Sequence, residues 1–130
     1  MKFITLGARI ILGLIYFIFG GMGLAIALGL MPMPQQPMPE AAMAFMKGIM
    51  SAPYFFLLLK ITETSCGLLL LIGRAAPAAL VILAPITLNI FLFHVFLTPE
   101  FSNLPLPLVM IVCHILAISG YWDRYRPLFK

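Results

Sequence analysis

Charge is what this sequence has least of. Only 9% of its 130 residues are Asp, Glu, Lys or Arg, where a soluble domain carries about 25%. So few charges cannot cover a water-facing surface, which excludes an ordinary soluble globular protein. The net charge is +4, but there is no basic stripe of the kind nucleic acid requires. Five of the eight Lys and Arg residues lie in the first nine or last seven positions, a placement that suits lipid headgroups. Cysteine is also scarce. Cys66 and Cys113 form no CxxC and no paired ladder, which argues against a disulfide scaffold. Both fall in apolar segments and read as small buried hydrophobes, with a thiol pair across two helices as the minor alternative. No CxxCH is present, so there is no motif for covalent haem.

What the chain has in abundance is apolar length: 63% of it is hydrophobic. The size allows one compact unit and no second domain. The start is a Lys followed by a long apolar run with no small-residue cleavage site. It reads as a retained first span and not as a signal peptide. That span is expected at residues 3–30, ample for the roughly 20 residues a crossing helix needs. Arg9 near its start can snorkel to the headgroups. Gly13, Gly20, Gly21 and Gly23 thin one side of the helix and invite close packing by a neighbour.

Residues 31–39, MPMPQQPMP, hold four prolines and cannot continue the helix. At residues 40–50 Ala42, Phe45, Met46 and Ile49 recur at helical spacing. They predict a short helix lying on the interface or dipping into it. Its methionines read as flexible apolar packing, since they show no ligand pattern with His or Cys. Further spans are expected at 53–72, 77–97 and 105–122. The connection at Gly73 and Arg74 is so short that the second and third spans form an antiparallel hairpin. Pro85 predicts a kink in the third, and Tyr121 and Trp122 an aromatic belt after the fourth. Four spans put both termini on one side. If that side is the cytoplasm, Lys2, Arg9, Arg74, Arg124, Arg126 and Lys130 all lie inside, and only Lys47 outside. The fold class is therefore all-α: an integral membrane bundle of four helices with a short interfacial helix and cytoplasmic termini.

The second span, LLLKITETSCGLLLLIGR, carries Lys60 and Glu63 three residues apart, hence on one helix face. Such groups cost roughly 2.5–3.5 kcal/mol each at a helix centre and are tolerated when they pair and face the bundle interior or a wet cavity. With a rise of about 1.5 Å per residue, Lys60 and Glu63 lie about 10 and 15 Å below the outer end of their helix. Asn89 falls near the midplane, and His94 and His114 in the outer half. Lys60, Glu63, Asn89, His94 and His114 thus form the candidate polar cluster. Three readings stand for it. One is structural, with charges neutralised and hydrogen bonds made across helices. The second is a site for a small redox or lipid-like molecule such as a quinone head, which a donor and a protonatable carboxylate would serve. The third, a haem or metal held by His94 and His114, lacks a third ligand, so no metal is assigned. A channel or pump would need polar groups along its whole path, and the inner half is nearly all aliphatic.

ARIILGLIYFIFGG in the first span, KITETSCGLLLLIGRAAPAALVILAP across the hairpin and NIFLFHVFL at its end resemble the DoxX family of four-span bacterial membrane proteins. The pattern covers most of the chain, and the order and spacing of the segments carry it more than any single motif. The family takes its name from a small subunit of an archaeal thiosulfate:quinone oxidoreductase, and other members are linked to membrane redox complexes and oxidative-stress handling. The resemblance implies a bacterial inner-membrane protein, Glu63 and Lys60 as its second-span charges, and Asn89 and His94 as the third-span pair. It transfers no catalytic residue. The leading expectation is a small accessory subunit in quinone-linked redox chemistry, with membrane or periplasmic redox proteins or further copies of the chain as partners. The alternative is a non-catalytic scaffold that holds partner proteins in the bilayer.

Overall fold

The computed structural model describes residues 2–32, 38–98 and 104–129. They are helical, with no strand among them. α1 (Lys2–Ala27) is followed by α2 (Glu40–Ser51), α3 (Phe55–Ile72), α4 (Ala76–Leu92), α5 (Pro105–Gly120) and the single turn α6 (Trp122–Tyr125). Past α4 the chain continues as a π-helical turn, Phe93–Leu97. α1, α3, and α4 with its π turn are each long and apolar enough to cross a membrane. α5 adds a fourth crossing if it counts together with the segment after it. Alone it rises about 24 Å, short of a hydrocarbon core of about 30 Å.

α1, α3, α4 and α5 close a ring in which each packs on two neighbours. The α1–α3 seam is the closest because glycines line it. A Cβ built on Gly67 would lie 2.6 Å from the Phe17 backbone nitrogen, and one on Gly20 would lie 2.9 Å from that of Thr64. Gly13 meets the Gly67 carbonyl in the same way, at 3.0 Å. Gly21, expected on this face, points into open space. The reason is angular: residues 13, 20 and 23 return to one side at about 100° per residue, and residue 21 does not.

α3 ends at Gly73, whose φ of 76° is left-handed, with the Gly73 and Arg74 amides both bonded to the Leu69 carbonyl. Ala75 is also left-handed, with φ 52°, and starts α4 at once. Three residues therefore reverse the chain. α4 runs through Pro85 without interruption, so the expected kink is not a break in the helix. α5 stops at Gly120, and the chain bends by 70° into the segment Trp122–Phe129. Tyr121 and Trp122 sit at that bend instead of ending a straight helix. Thr5 packs on Gly120, and the Tyr125 hydroxyl donates to the Pro77 carbonyl at 2.7 Å. The starts of α1 and α4 and the ends of α3 and α5 thus share one end of the bundle. The core holds Leu12, Tyr16, Leu70, Leu80, Leu83 and Pro107. Cys66 and Cys113 are buried and free.

Candidate functional site

Lys60 and Glu63 face α1 where it has no side chains. The Lys60 stem occupies the space a Gly23 side chain would need, and the Glu63 Cβ sits 3.0 Å from where one on Gly20 would be. The two charges pair, Nζ to Oε2, at 3.2 Å. Glu63 is 3% exposed, so its carboxylate depends on this partner. The Lys60 ammonium also lies 5.4 Å from the centroid of the Phe56 ring, close enough for a cation–π contribution.

The pair borders a cavity of about 560 Å³ between α2, α3, α4 and the π turn. The lining includes Lys60, Glu63, Asn89 and His94. Its remaining wall is apolar and aromatic, with Phe45, Phe55, Phe56 and Phe93 prominent. Asn89 is exposed and makes no hydrogen bond to any described residue. His94 Nδ1 bonds to the Ile90 carbonyl at 2.8 Å. The carbonyl can only accept, so Nδ1 carries the hydrogen and Nε2 has no partner among the described residues. The π turn gives this corner its shape. The Thr98 amide reaches back five residues to the Phe93 carbonyl, and Phe93 stacks obliquely on Phe45 of α2 with centroids 5.4 Å apart. Nothing in the sequence marks the π turn.

His114 does not join this cluster. It is 3% exposed and bridges α4 from the far side. Its Nε2 donates to the Leu80 carbonyl at 2.8 Å, and its Nδ1 meets Thr87 Oγ1 at 2.8 Å. Thr87 also meets the Tyr16 hydroxyl. With Nε2 as donor, a neutral ring makes Nδ1 the acceptor. The chain then runs from the Tyr16 hydroxyl to Thr87, from Thr87 to His114, and from His114 to Leu80. Three helices are tied by one satisfied polar thread, which supports the structural reading for this histidine. Both ring nitrogens are engaged, so His114 cannot pair with His94 about a haem or metal. Among the described residues no group of three or more His, Cys, Asp or Glu gathers in metal-binding range. Sequence reasoning missed Tyr16 and Thr87. Their signal was a polar group in each of two apolar runs at matching depth.

Two other features flank the site. Met22, Met38, Met43, Met46 and Met50 help line a groove of about 870 Å³ between α1 and α2, and Lys60 separates it from the polar cavity. At the opposite end Arg9 does not simply extend to the headgroups. Its guanidinium lies against Gly73 and donates to the Tyr121 hydroxyl at 3.3 Å. No protein-family model, no curated protein and no solved structure matches the chain.

Proposed function

We propose that the cavity beside Lys60 and Glu63 binds a lipid-soluble ring molecule with a polar head, of the quinone class, in a multi-pass bacterial inner-membrane protein. On this reading the chain is DoxX-like and serves as a small accessory subunit in quinone-linked redox chemistry. The observation that carries it is the pairing of opposites in one cavity. An apolar, aromatic wall meets a buried ion pair and an Asn89 amide with no hydrogen bond to any described residue. About 560 Å³ lies within the roughly 300–1,000 Å³ typical of small-molecule sites. Aromatic side chains suit a flat ring. The Asn89 amide can donate to a ring carbonyl, and Lys60 offers a second, charged donor. Glu63 can take up or release a proton at a site closed to water on its α1 side. A bound quinone would supply the electron and proton carriage.

The alternative is a non-catalytic scaffold. Gly13 and Gly20 pack on α3 within the chain. A partner would have to dock on the outward apolar faces.

The test is the quinone content of the full chain purified in mild detergent, extracted into solvent and quantified by chromatography. Near-stoichiometric quinone is expected, falling about tenfold in Asn89→Leu, as for loss of a buried hydrogen bond to the ligand. Thermal melting would confirm that the variant is folded. Background quinone in the unmodified protein would overturn the assignment.

A further inference from the structure

A second cavity, of about 710 Å³, lies at the basic end of the bundle between the start of α1 and the end of α5. Lys2, Thr5, Arg9, Ser119 and Tyr121 supply its polar lining, and no acidic side chain among the described residues contributes. Arg9 is under-used where it stands. Its Nε is buried and has no hydrogen-bond partner among the described residues. Its only hydrogen bond among the described residues is the long one from Nη1 to Tyr121. The one ion pair found among the described residues is elsewhere, at Lys60 and Glu63. Gly73 at the end of α3 lies beside the guanidinium, and the partial negative charge of a helix C-terminus offsets only part of a full positive one. The Ser119 hydroxyl already donates to the Ile115 carbonyl, so it offers no competing donor.

We infer that this cavity binds the phosphate of an anionic phospholipid, with Arg9 and Lys2 as its two cations. Phosphate oxygens accept hydrogen bonds from guanidinium Nη groups and from an ammonium alike. The choice of a lipid over free phosphate rests on the rim. Phe3 and Leu6 also line the cavity, 86% and 43% exposed, and offer acyl chains an apolar track down α1. Basic pockets between helices at the cytoplasmic membrane face are suited to such headgroups. The site lies at the other end of the molecule from the Asn89 cavity and does not depend on what that cavity holds.

The experiment uses the delipidated full chain in detergent, titrated separately with phosphatidylglycerol, phosphatidylcholine and inorganic phosphate. Binding is read by native mass spectrometry and by the shift in melting temperature. Phosphatidylglycerol should bind at least about fivefold tighter than phosphatidylcholine, the scale expected of one basic side chain. Arg9→Gln should remove most of that preference, and Arg9→Lys should restore part of it. Should Arg9→Gln fail to fold, Lys2→Gln changes an exposed residue and should by itself reduce the preference. Equal binding of the two lipids, or a preference unchanged in either glutamine variant, overturns the proposal. Tight binding of inorganic phosphate, with no preference between the lipids, would likewise overturn the lipid assignment and leave a soluble anion as the ligand.

Discussion

The Lys60–Glu63 pair is held by burial as much as by attraction. Glu63 is almost wholly enclosed, while the Lys60 side chain keeps 20% of its surface. Removing one partner of a buried pair strands the other charge, which costs about 3–5 kcal/mol, whereas replacing both by apolar groups of similar volume is often neutral. Lys60→Met should therefore lower the melting temperature in detergent markedly. Lys60→Met combined with Glu63→Met should regain most of that loss. A double variant as unstable as the single one would show that the shape of the Lys60 stem over Gly23 matters, and not its charge. The same residues show what the sequence could and could not tell. A spacing of three put Lys60 and Glu63 on one face, and depth along the helices brought Asn89 and His94 to their level. Depth says nothing about azimuth. Thr87 and Asn89 are two residues apart, so they point about 200° apart around α4. Thr87 meets His114, and Asn89 faces the cavity. α5 is apolar on every side, so no pattern in it told which face His114 would share.

Among the elements, α1 and α3 form the unit on which the rest assembles, and backbone contact makes it. In lipid, packing of small residues replaces the hydrophobic effect as the driver of helix association. Gly67 has the Phe17 nitrogen and the Gly13 carbonyl within 3.0 Å of any added Cβ, and a main chain cannot rotate away as a side chain can. Gly67→Leu should force the two helices apart and leave little monodisperse protein on size-exclusion chromatography. Gly21→Leu adds the same atoms where nothing lies within 4 Å and should elute and melt like the unmodified chain. If both variants behaved alike, the seam would not be the organising contact. The glycines of α1 were legible as a thinned side of the helix. Their partner Gly67 was not, because a single glycine inside an apolar run carries no sign of what it faces. α2 is loosely held. It packs on α3 and the π turn alone among its substantial contacts, with Phe45 on Phe93 as its aromatic tie, so the outer wall of the Asn89 cavity is its least firmly held part.

Over the whole molecule, charge is sorted by end. Lys2, Arg9, Arg74, Arg124 and Arg126 gather where α1 and α4 begin and α3 and α5 finish. Lys47 stands on α2 at the other end. Lys and Arg near span ends are retained in the cytoplasm during insertion, and short loops obey this most strictly. The expected orientation therefore has both termini in the cytoplasm, with α2 and the mouth of the Asn89 cavity on the outer side. Two fusions after Lys130 decide it. Green fluorescent protein should fluoresce there, and alkaline phosphatase, active only after export, should be silent. The bias can also be challenged. Arg124→Glu with Arg126→Glu removes two of the inside charges, yet Lys2, Arg9 and Arg74 remain, so the fusions should read as before. An active phosphatase on the unmodified chain would invert the molecule. The Arg9 cavity would then face the outer leaflet, where anionic lipid is not what draws basic residues, and the Asn89 cavity would open towards cytoplasmic partners. Orientation thus fixes which side of the membrane each cavity faces, and the positive-inside expectation rests on Lys and Arg near the span ends, not on what either cavity binds.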